Sequence, residues 1–179
     1  VAFAVENKVK MILHGGYDAP RCAELLKQHN IPVVVAGVYR LPQRRDDPYD
    51  APFTVPAQLH AAGIKFCISG GERTGNERNL PFHAGAAAAF GLPRDVALRS
   101  ITLAPAEIFG MEDKVGTLKP GKDATLIVAS DNILEIATQV EQAYVGGRPI
   151  DLSSRHTELW KKHREKYRRQ KQAEAPAKN

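Results

Sequence analysis

Cysteine, methionine and tryptophan are scarce in this sequence, and long apolar runs are missing. The 179 residues include two cysteines, two methionines and one tryptophan. Two cysteines cannot build a disulfide framework, and they do not have the short spacing of a zinc knuckle. We expect Cys22 and Cys67 to be buried, reduced thiols, although the sequence leaves a disulfide between them open. No apolar run approaches the roughly 20 residues of a membrane span, so we expect no membrane partner.

The first ten residues lack the order of a signal peptide. Glu6, Asn7 and Lys8 interrupt the apolar positions, whereas a signal peptide places its charge before one apolar segment. A cytoplasmic location is therefore the expectation. The chain begins with Val1 rather than methionine, which leaves open an upstream start that carries a targeting signal.

Positive charge is concentrated near the end of the chain. The net charge is +5, yet residues 155–172 hold eight Lys or Arg and two Glu, so that this segment carries +6 and the remainder −1. The basic character therefore does not indicate nucleic acid at a core site, and we expect no nucleic-acid partner.

Residues 9–109 alternate between apolar runs and helical patterns. The runs at 9–13, 31–38 and 64–69 are apolar and rich in β-branched residues, which predicts buried strands. The helical patterns lie at 19–29, 57–62, 81–91, 94–101 and 105–109. Strands that alternate with helices predict an α/β fold with a parallel sheet covered on both faces.

Residues 39–56 interrupt this alternation with four prolines and a charged run. They predict a long loop, and long loops inside compact domains are usually functional.

The pattern changes after Gly110. Apolar segments at 124–129 and 136–145 are bracketed by glycines and predict short antiparallel strands. Residues 153–172 predict a basic helix, and we expect it to dock through an apolar stripe that includes Leu159, Trp160 and Tyr167. Residues 172–179 are expected to be disordered.

Three segments carry a family resemblance. They are ALRSITLAPAEIFG at 97–110, VGTLKPGKDATLIV at 115–128 and VEQAYVGGRP at 140–149. Together they resemble the end of an amidohydrolase of the imidazolonepropionase-like branch. The segment LHGGYDAPRCAELLKQHNIPVVV at 13–35 is similar to the sixth barrel strand, its helix and the seventh strand of that family. Thr125 is a mild departure, since the family usually has Asp there.

The resemblance implies a (β/α)8 TIM-type barrel with a small β-sandwich. Residues 1–110 would form part of the barrel with its last three strands, residues 111–152 the C-terminal sandwich strands, and residues 153–179 a basic helix and tail. The first five barrel strands and the N-terminal sandwich strands would be missing. We therefore expect a homo-oligomer or a missing N-terminal half to cover the open sheet.

The resemblance also implies a divalent metal, zinc or similar, at the carboxyl ends of the barrel strands. The family's ligands are histidines after strands one, five and six and an Asp after strand eight, and the metal activates water for hydrolysis of C–N bonds in small cyclic amides. His14 matches the strand-six ligand. The alternative is a histidine bonded within a turn.

The strand-eight Asp is absent, because Ser69, Gly70 and Gly71 follow the third apolar run. Glu72 comes three residues late and would need a folded-back loop to approach a metal. Otherwise Glu72 and Arg73 bind a polar small-molecule substrate or lie in a solvated loop. His83, on the helix that follows, is predicted to be structural.

Three functions are compatible with these patterns. The first is a fragment or divergent member of a metal-dependent hydrolase, inactive alone. The second is a non-catalytic domain that has kept the fold and lost the metal. The third is a basic interaction module that acts through residues 155–172, for which salt-sensitive binding of polyanions is the requirement.

Overall fold

A parallel sheet of three strands organises the first part of the chain. The computed structural model describes residues 1–71 and 74–174. Its strands are β1 (Leu13–Gly15), β2 (Val33–Val35) and β3 (Phe66–Ile68), paired in that order. The predicted α/β fold with a parallel sheet is confirmed.

The strands are shorter than predicted, and β1 begins where the predicted first strand ends. Pro32 lies directly before β2, and its carbonyl accepts a hydrogen bond from Leu13 N–H at 3.0 Å. Because proline has no N–H of its own, it cannot extend the ladder toward residues 9–12. Val9 and Ile12 are consequently exposed rather than buried.

Helices connect the strands and continue beyond them. Their bounds are α1 Ala2–Glu6, α2 Ala23–Gln28, α3 Ala51–Ala61, α4 Leu80–Ala89, α5 Arg94–Ser100 and α6 Leu103–Ile108. Short 3-10 turns at Ala19–Cys22 and Thr74–Asn79 precede α2 and α4. Each predicted helix between residues 19 and 109 is present with shifted ends.

The predicted loop at 39–56 is too long, because α3 begins at Ala51 instead of residue 57. Pro52 lies in the first helical turn. Backbone N–H groups there have no intrahelical acceptor, so the N–H that proline lacks costs no hydrogen bond. Pro56 lies inside the helix, and the carbonyl four residues before it belongs to Pro52, so one backbone bond is lost. The true loop therefore ends at Asp50.

The main core lies on one face of the parallel sheet. Val33 and Val35 of β2 are fully buried there. They cluster with side chains of α2, α3 and α4, among them Leu26, Leu59 and Ala84. Side chains alternate between the two faces of a strand, so neighbouring positions must lie on the other face.

That opposite face is only partly covered. His14, Val34 and Cys67 occupy adjacent register positions and therefore share it. Val34 and Cys67 are buried against Ala104 of α6, whereas His14, on the edge strand, is exposed.

A second sheet follows α6 and is antiparallel, as predicted. Its strands are β4 (Leu126–Ala129), β5 (Val140–Val145) and β6 (Arg148–Pro149). Leu134, between β4 and β5, belongs to the main core. A Cβ at Gly85 of α4 would lie 2.5 Å from the Leu134 carbonyl oxygen, so glycine permits this close approach.

The last helix, α7 (Arg155–Glu174), does not dock as predicted. Leu159, Trp160 and Tyr167 remain 42%, 58% and 63% exposed. Three apolar side chains surrounded by Lys and Arg provide too little apolar area to offset desolvation of those charges. The tail prediction was partly wrong, because residues 172–174 are helical, and residues 175–179 lie outside the described part.

The two cysteines differ. Both are free, and Cys67 is buried as predicted, whereas Cys22 is exposed. Cys22 directly precedes α2, and the buried residue of this helix is Leu26, near its end, rather than a residue of its first turn.

Candidate functional site

The chain leaves all three parallel strands at one edge, and this carboxyl edge is the candidate site. Ala36 N–H donates to the Gly15 carbonyl at 3.3 Å, and Ser69 N–H donates to the Val35 carbonyl at 2.9 Å. The Ser69 hydroxyl donates to the same Val35 carbonyl at 3.2 Å. Parallel strands bring loops from distant parts of the sequence together in this way.

His14 lies near this edge, in the middle of β1 rather than after it. It shares its face with Val34 and Cys67, away from the core formed with α2, α3 and α4. Its exposed imidazole is therefore accessible from the side of the sheet that these helices do not cover.

Cys67 shares that face with His14, but the two do not form a nucleophile–base pair. Val34 lies between them in the register, and two strand spacings separate their backbones by about 10 Å. Burial raises the pKa of the Cys67 thiol to about 11, so the sulfur stays protonated at neutral pH.

Tyr17 and Asp47 join the loops that follow β1 and β2. The Tyr17 hydroxyl donates to the Asp47 carboxylate and accepts a hydrogen bond from Gln43 N–H at 3.1 Å. Arg44 N–H also donates to this carboxylate, at 2.9 Å. The hydrogen bond from Tyr17 is the main reason that the pKa of Asp47 lies below its usual value.

An ion-pair network reinforces this connection. Arg44 donates two hydrogen bonds to the Asp18 carboxylate, at 2.9 and 2.7 Å, and these lower the pKa of Asp18. Arg21 approaches Asp18 at 3.8 Å and Asp47 at 3.7 Å. The loop after β2 is thus held against the loop after β1 through paired, planar hydrogen bonding.

Sequence reasoning did not assign these residues to a site. The available signals were Tyr17 and Asp18 directly after Gly15 and Gly16, and the charged run at 44–47 in a proline-rich loop. Their pairing across about 30 residues depends on the parallel sheet, which local patterns do not show.

His83 of α4 binds the backbone that follows β2 at the same edge, and its predicted structural role is confirmed. It is 5% exposed, and its Nδ1 accepts a hydrogen bond from Val38 N–H at 3.0 Å. The Tyr39 ring lies 4.6 Å away, and the Tyr39 hydroxyl donates to the Phe82 carbonyl at 2.9 Å. Burial lowers the pKa of His83.

Acidification is expected to destabilise the chain through His83. Because folding lowers the pKa of His83, the folded protein binds fewer protons there than the unfolded chain does. The stability of the folded chain is therefore unaffected by His83 above the ordinary imidazole pKa of about 6.5, and it decreases as the pH falls below that value. We expect a loss of up to about 1.4 kcal/mol per pH unit, measured by urea unfolding at successive pH values.

His83→Asn tests this assignment, because its amide oxygen can accept from Val38 N–H without titrating. The variant should be less sensitive to pH between neutrality and about pH 5.5. His60→Asn, on the exposed surface, is the control and should leave the slope unchanged. Equal slopes for wild type and His83→Asn would contradict the prediction.

The described residues alone do not fit a divalent metal. Within residues 1–71 and 74–174, no three His, Cys, Asp or Glu side chains are grouped so that they could hold an ion. The backbone that leaves β3 presents Ser69, Gly70 and Gly71, which have no carboxylate. The predicted substrate-binding residues Glu72 and Arg73 lie outside the described part of the chain.

Comparison with known proteins identifies the family. The model described as Amidohydrolase family matches residues 60–151, slightly more than half of the chain. The chain therefore belongs to the amidohydrolase family. Amidohydrolase tasK from Hapsidospora irregularis is 31% identical over 86 residues, which are 45% of this chain and 9% of that protein.

Two solved structures have a similar fold. An amidohydrolase from Thermotoga maritima MSB8 matches with a TM-score of 0.75 and 25% identity, over 84% of this chain and 39% of that chain. An adenosine deaminase from Xanthomonas campestris, solved with bound zinc, matches with a TM-score of 0.51 and 18% identity, over 94% of this chain and 52% of that chain. The second likeness shows the fold alone. The chain spans less than two-thirds of each of these proteins.

Proposed function

We propose that this chain is the C-terminal part of a metal-dependent amidohydrolase of the imidazolonepropionase-like branch. The intact enzyme would hydrolyse C–N bonds in small, cyclic amides, and this chain alone would be inactive. Residues 1–110 would supply the last three strands of a (β/α)8 barrel, residues 111–152 the sandwich strands, and residues 153–179 an appended basic helix and tail.

The position of His14 carries this proposal. In a (β/α)8 barrel the helices surround the strands, and the opposite face of the sheet lines the interior. Here α2, α3 and α4 cover the face of Val33 and Val35, and His14 lies on the other face near the carboxyl edge. An imidazole there would point into the catalytic end of a completed barrel.

We assign His14 as one metal ligand, with the remaining ligands supplied by protein beyond this chain. Zinc is the metal in the structure of the Xanthomonas deaminase. Glu72 and Arg73 follow β3 closely, and we propose that they bind polar groups of the small-molecule substrate. The network of Tyr17, Asp18, Arg44 and Asp47 would hold the wall of that substrate site in place.

The unpaired edges of the parallel sheet support the proposal that further protein pairs with it. Both β1 and β3 have one unpaired edge in the described part of the chain, and exposed edges favour pairing with further strands. We propose that a missing N-terminal half completes the barrel in the intact enzyme, and that the isolated chain self-associates, most simply as a two-fold dimer.

A non-catalytic domain is the second candidate. The observation that favours it is the run Ser69, Gly70 and Gly71 after β3, where the family resemblance implies Asp. A protein of this kind would keep the barrel strands without binding a metal.

Metal analysis of two proteins tests the proposal. The isolated chain should contain no stoichiometric zinc and hydrolyse no cyclic amide. The product of the gene, extended to its own start, should contain zinc, and His14→Gln should lower its turnover at least about a hundredfold. His60→Gln, an exposed histidine on α3, is the matched control and should retain activity.

The outcomes separate the candidates. Zinc with turnover in the isolated chain would show that the fragment proposal is wrong. An extended gene product that folds but binds no metal would support the non-catalytic domain. Full activity of His14→Gln would remove His14 from the metal site.

A further inference from the structure

Helix α7 separates its side chains by chemistry around its axis. Leu159, Trp160, His163 and Tyr167 lie at positions i, i+1, i+4 and i+8, which places them in one stripe of about 100°. Glu158 and Glu165 lie on the opposite side of the helix, about 150° or more from the centre of this stripe.

Cations border both sides of the stripe. At about 100° per residue, Arg164 and Lys171 fall beside Trp160, and Lys162 and Lys166 fall beyond Leu159. Across residues 155–172 the net charge is +6.

The stripe has no cover from the described part of the chain. Leu159, Trp160 and Tyr167 are 42%, 58% and 63% exposed, and no residue between 155 and 172 is buried. Glu158 pairs with Lys161, and Glu165 pairs with Arg168 and Arg169, so the acids are neutralised on their own side. The exposed stripe therefore faces outward within a positive field.

We propose that α7 binds the surface of an anionic lipid bilayer and lies flat in its headgroup region. Trp and Tyr rings favour this interface, and basic side chains at the border of the stripe reach lipid phosphates while their alkyl stems stay with the acyl boundary. The two acidic residues would face water. This inference is independent of the proposed catalytic function.

A lipid surface fits better than a single-stranded nucleic acid. Binding of bases relies on aromatic faces that are free for stacking. The Arg164 guanidinium lies over the Trp160 ring at 4.7 Å, and the Lys166 ammonium lies 5.9 Å from the Tyr167 ring centre. Cations therefore already contact the ring faces on which bases would stack. Contact with a bilayer requires only the edges of the rings and the apolar stripe.

No helix in the described residues is both long and apolar enough to cross a bilayer. The prediction that the chain has no membrane partner rested on the lack of a spanning run. A helix that lies on the surface is a different contact, because it needs a narrow apolar stripe and positive charge instead of a long apolar segment.

Trp160 reports on this contact directly, since it is the only tryptophan of the chain. Its fluorescence should shift to the blue with vesicles made of equal parts phosphatidylcholine and phosphatidylserine, and should not change with pure phosphatidylcholine. About 1 M salt, where the Debye length is about 3 Å, should reverse the shift.

Charge variants show whether vesicle affinity depends on the lysines of α7 or only on the net charge of the protein. The triple variant Lys162→Gln, Lys166→Gln and Lys171→Gln should lower vesicle affinity on the order of a hundredfold, because each basic residue near the surface contributes about fivefold. The matched control is Lys8→Gln, Lys10→Gln and Lys119→Gln, which removes the same charge from exposed positions elsewhere. It should change affinity by less than about threefold.

Apolar variants test the stripe. Leu159→Ala should weaken co-sedimentation with the anionic vesicles several-fold, whereas Leu118→Ala, at a position 83% exposed, should have no effect. Circular dichroism checks that each variant keeps its helix content.

Three results would overturn the proposal. They are equal binding to neutral and anionic vesicles, equal losses in the two triple variants, and quenching of Trp160 by an oligonucleotide without any response to vesicles. The last result would assign the helix to nucleic acid instead.

Discussion

Replacement of Leu59 by alanine is expected to lower the free energy of unfolding by about 3 kcal/mol. Leu59 has no exposed surface and lies on α3 within the core beneath the parallel sheet. Alanine suits a helix at least as well as leucine, so the loss reports the cavity and the removed apolar contacts. Urea unfolding followed by circular dichroism measures it.

Leu118→Ala is the matched control for this experiment. Leu118 is 83% exposed, so the same chemical change should alter stability by less than about 0.5 kcal/mol. If the free energy of unfolding of the unsubstituted chain is smaller than this expected loss, the Leu59→Ala variant will be unfolded without urea. A loss below about 1 kcal/mol would contradict the core assigned to α3.

Removal of the Asp47 side chain is expected to release the loop after β2. Asp47 accepts hydrogen bonds from the Tyr17 hydroxyl and Arg44 N–H, and its side chain is only 8% exposed. In Asp47→Ala these donors lose their partner. Trypsin cleavage at Arg44 and Arg45 should then be faster on the order of tenfold, because proteolysis follows the population of the open loop.

Asp46→Ala provides the control for Asp47→Ala, because it removes the same charge from the adjacent, exposed residue. Its cleavage rate should stay close to that of the wild type. Tyr17→Phe removes the donor from the other side and should resemble Asp47→Ala. Mass spectrometry of the early fragments identifies the cleavage site, and equal rates in all variants would mean that the network does not hold the loop.

Local patterns predicted the elements better than their ends. The strands were correct in order and direction because β-branched runs between helices have few other arrangements. Their lengths were wrong because Pro32 limits pairing, which depends on the neighbouring strand. The start of α3 was missed because prolines usually signal a loop, whereas Pro52 occupies the one turn that tolerates it.

The candidate site was predicted only in part. His14 was singled out because the family resemblance places it at the strand-six ligand, and the structure places it on the sheet face away from the main core. The network of Tyr17, Asp18, Arg44 and Asp47 was not predicted. Its members are up to 30 residues apart and meet only because β1 and β2 end at the same edge.

By itself the sequence determined the α/β alternation, the family resemblance and the concentration of charge in residues 155–172. These properties depend on residue type and short-range spacing, which a linear chain contains in full. Only the tertiary structure decided that His83 is buried against Val38 N–H and that Trp160 stays exposed. Burial depends on which distant surfaces meet. Within residues 1–71 and 74–174, α7 meets no surface large enough to cover its stripe, since the charges around it favour water.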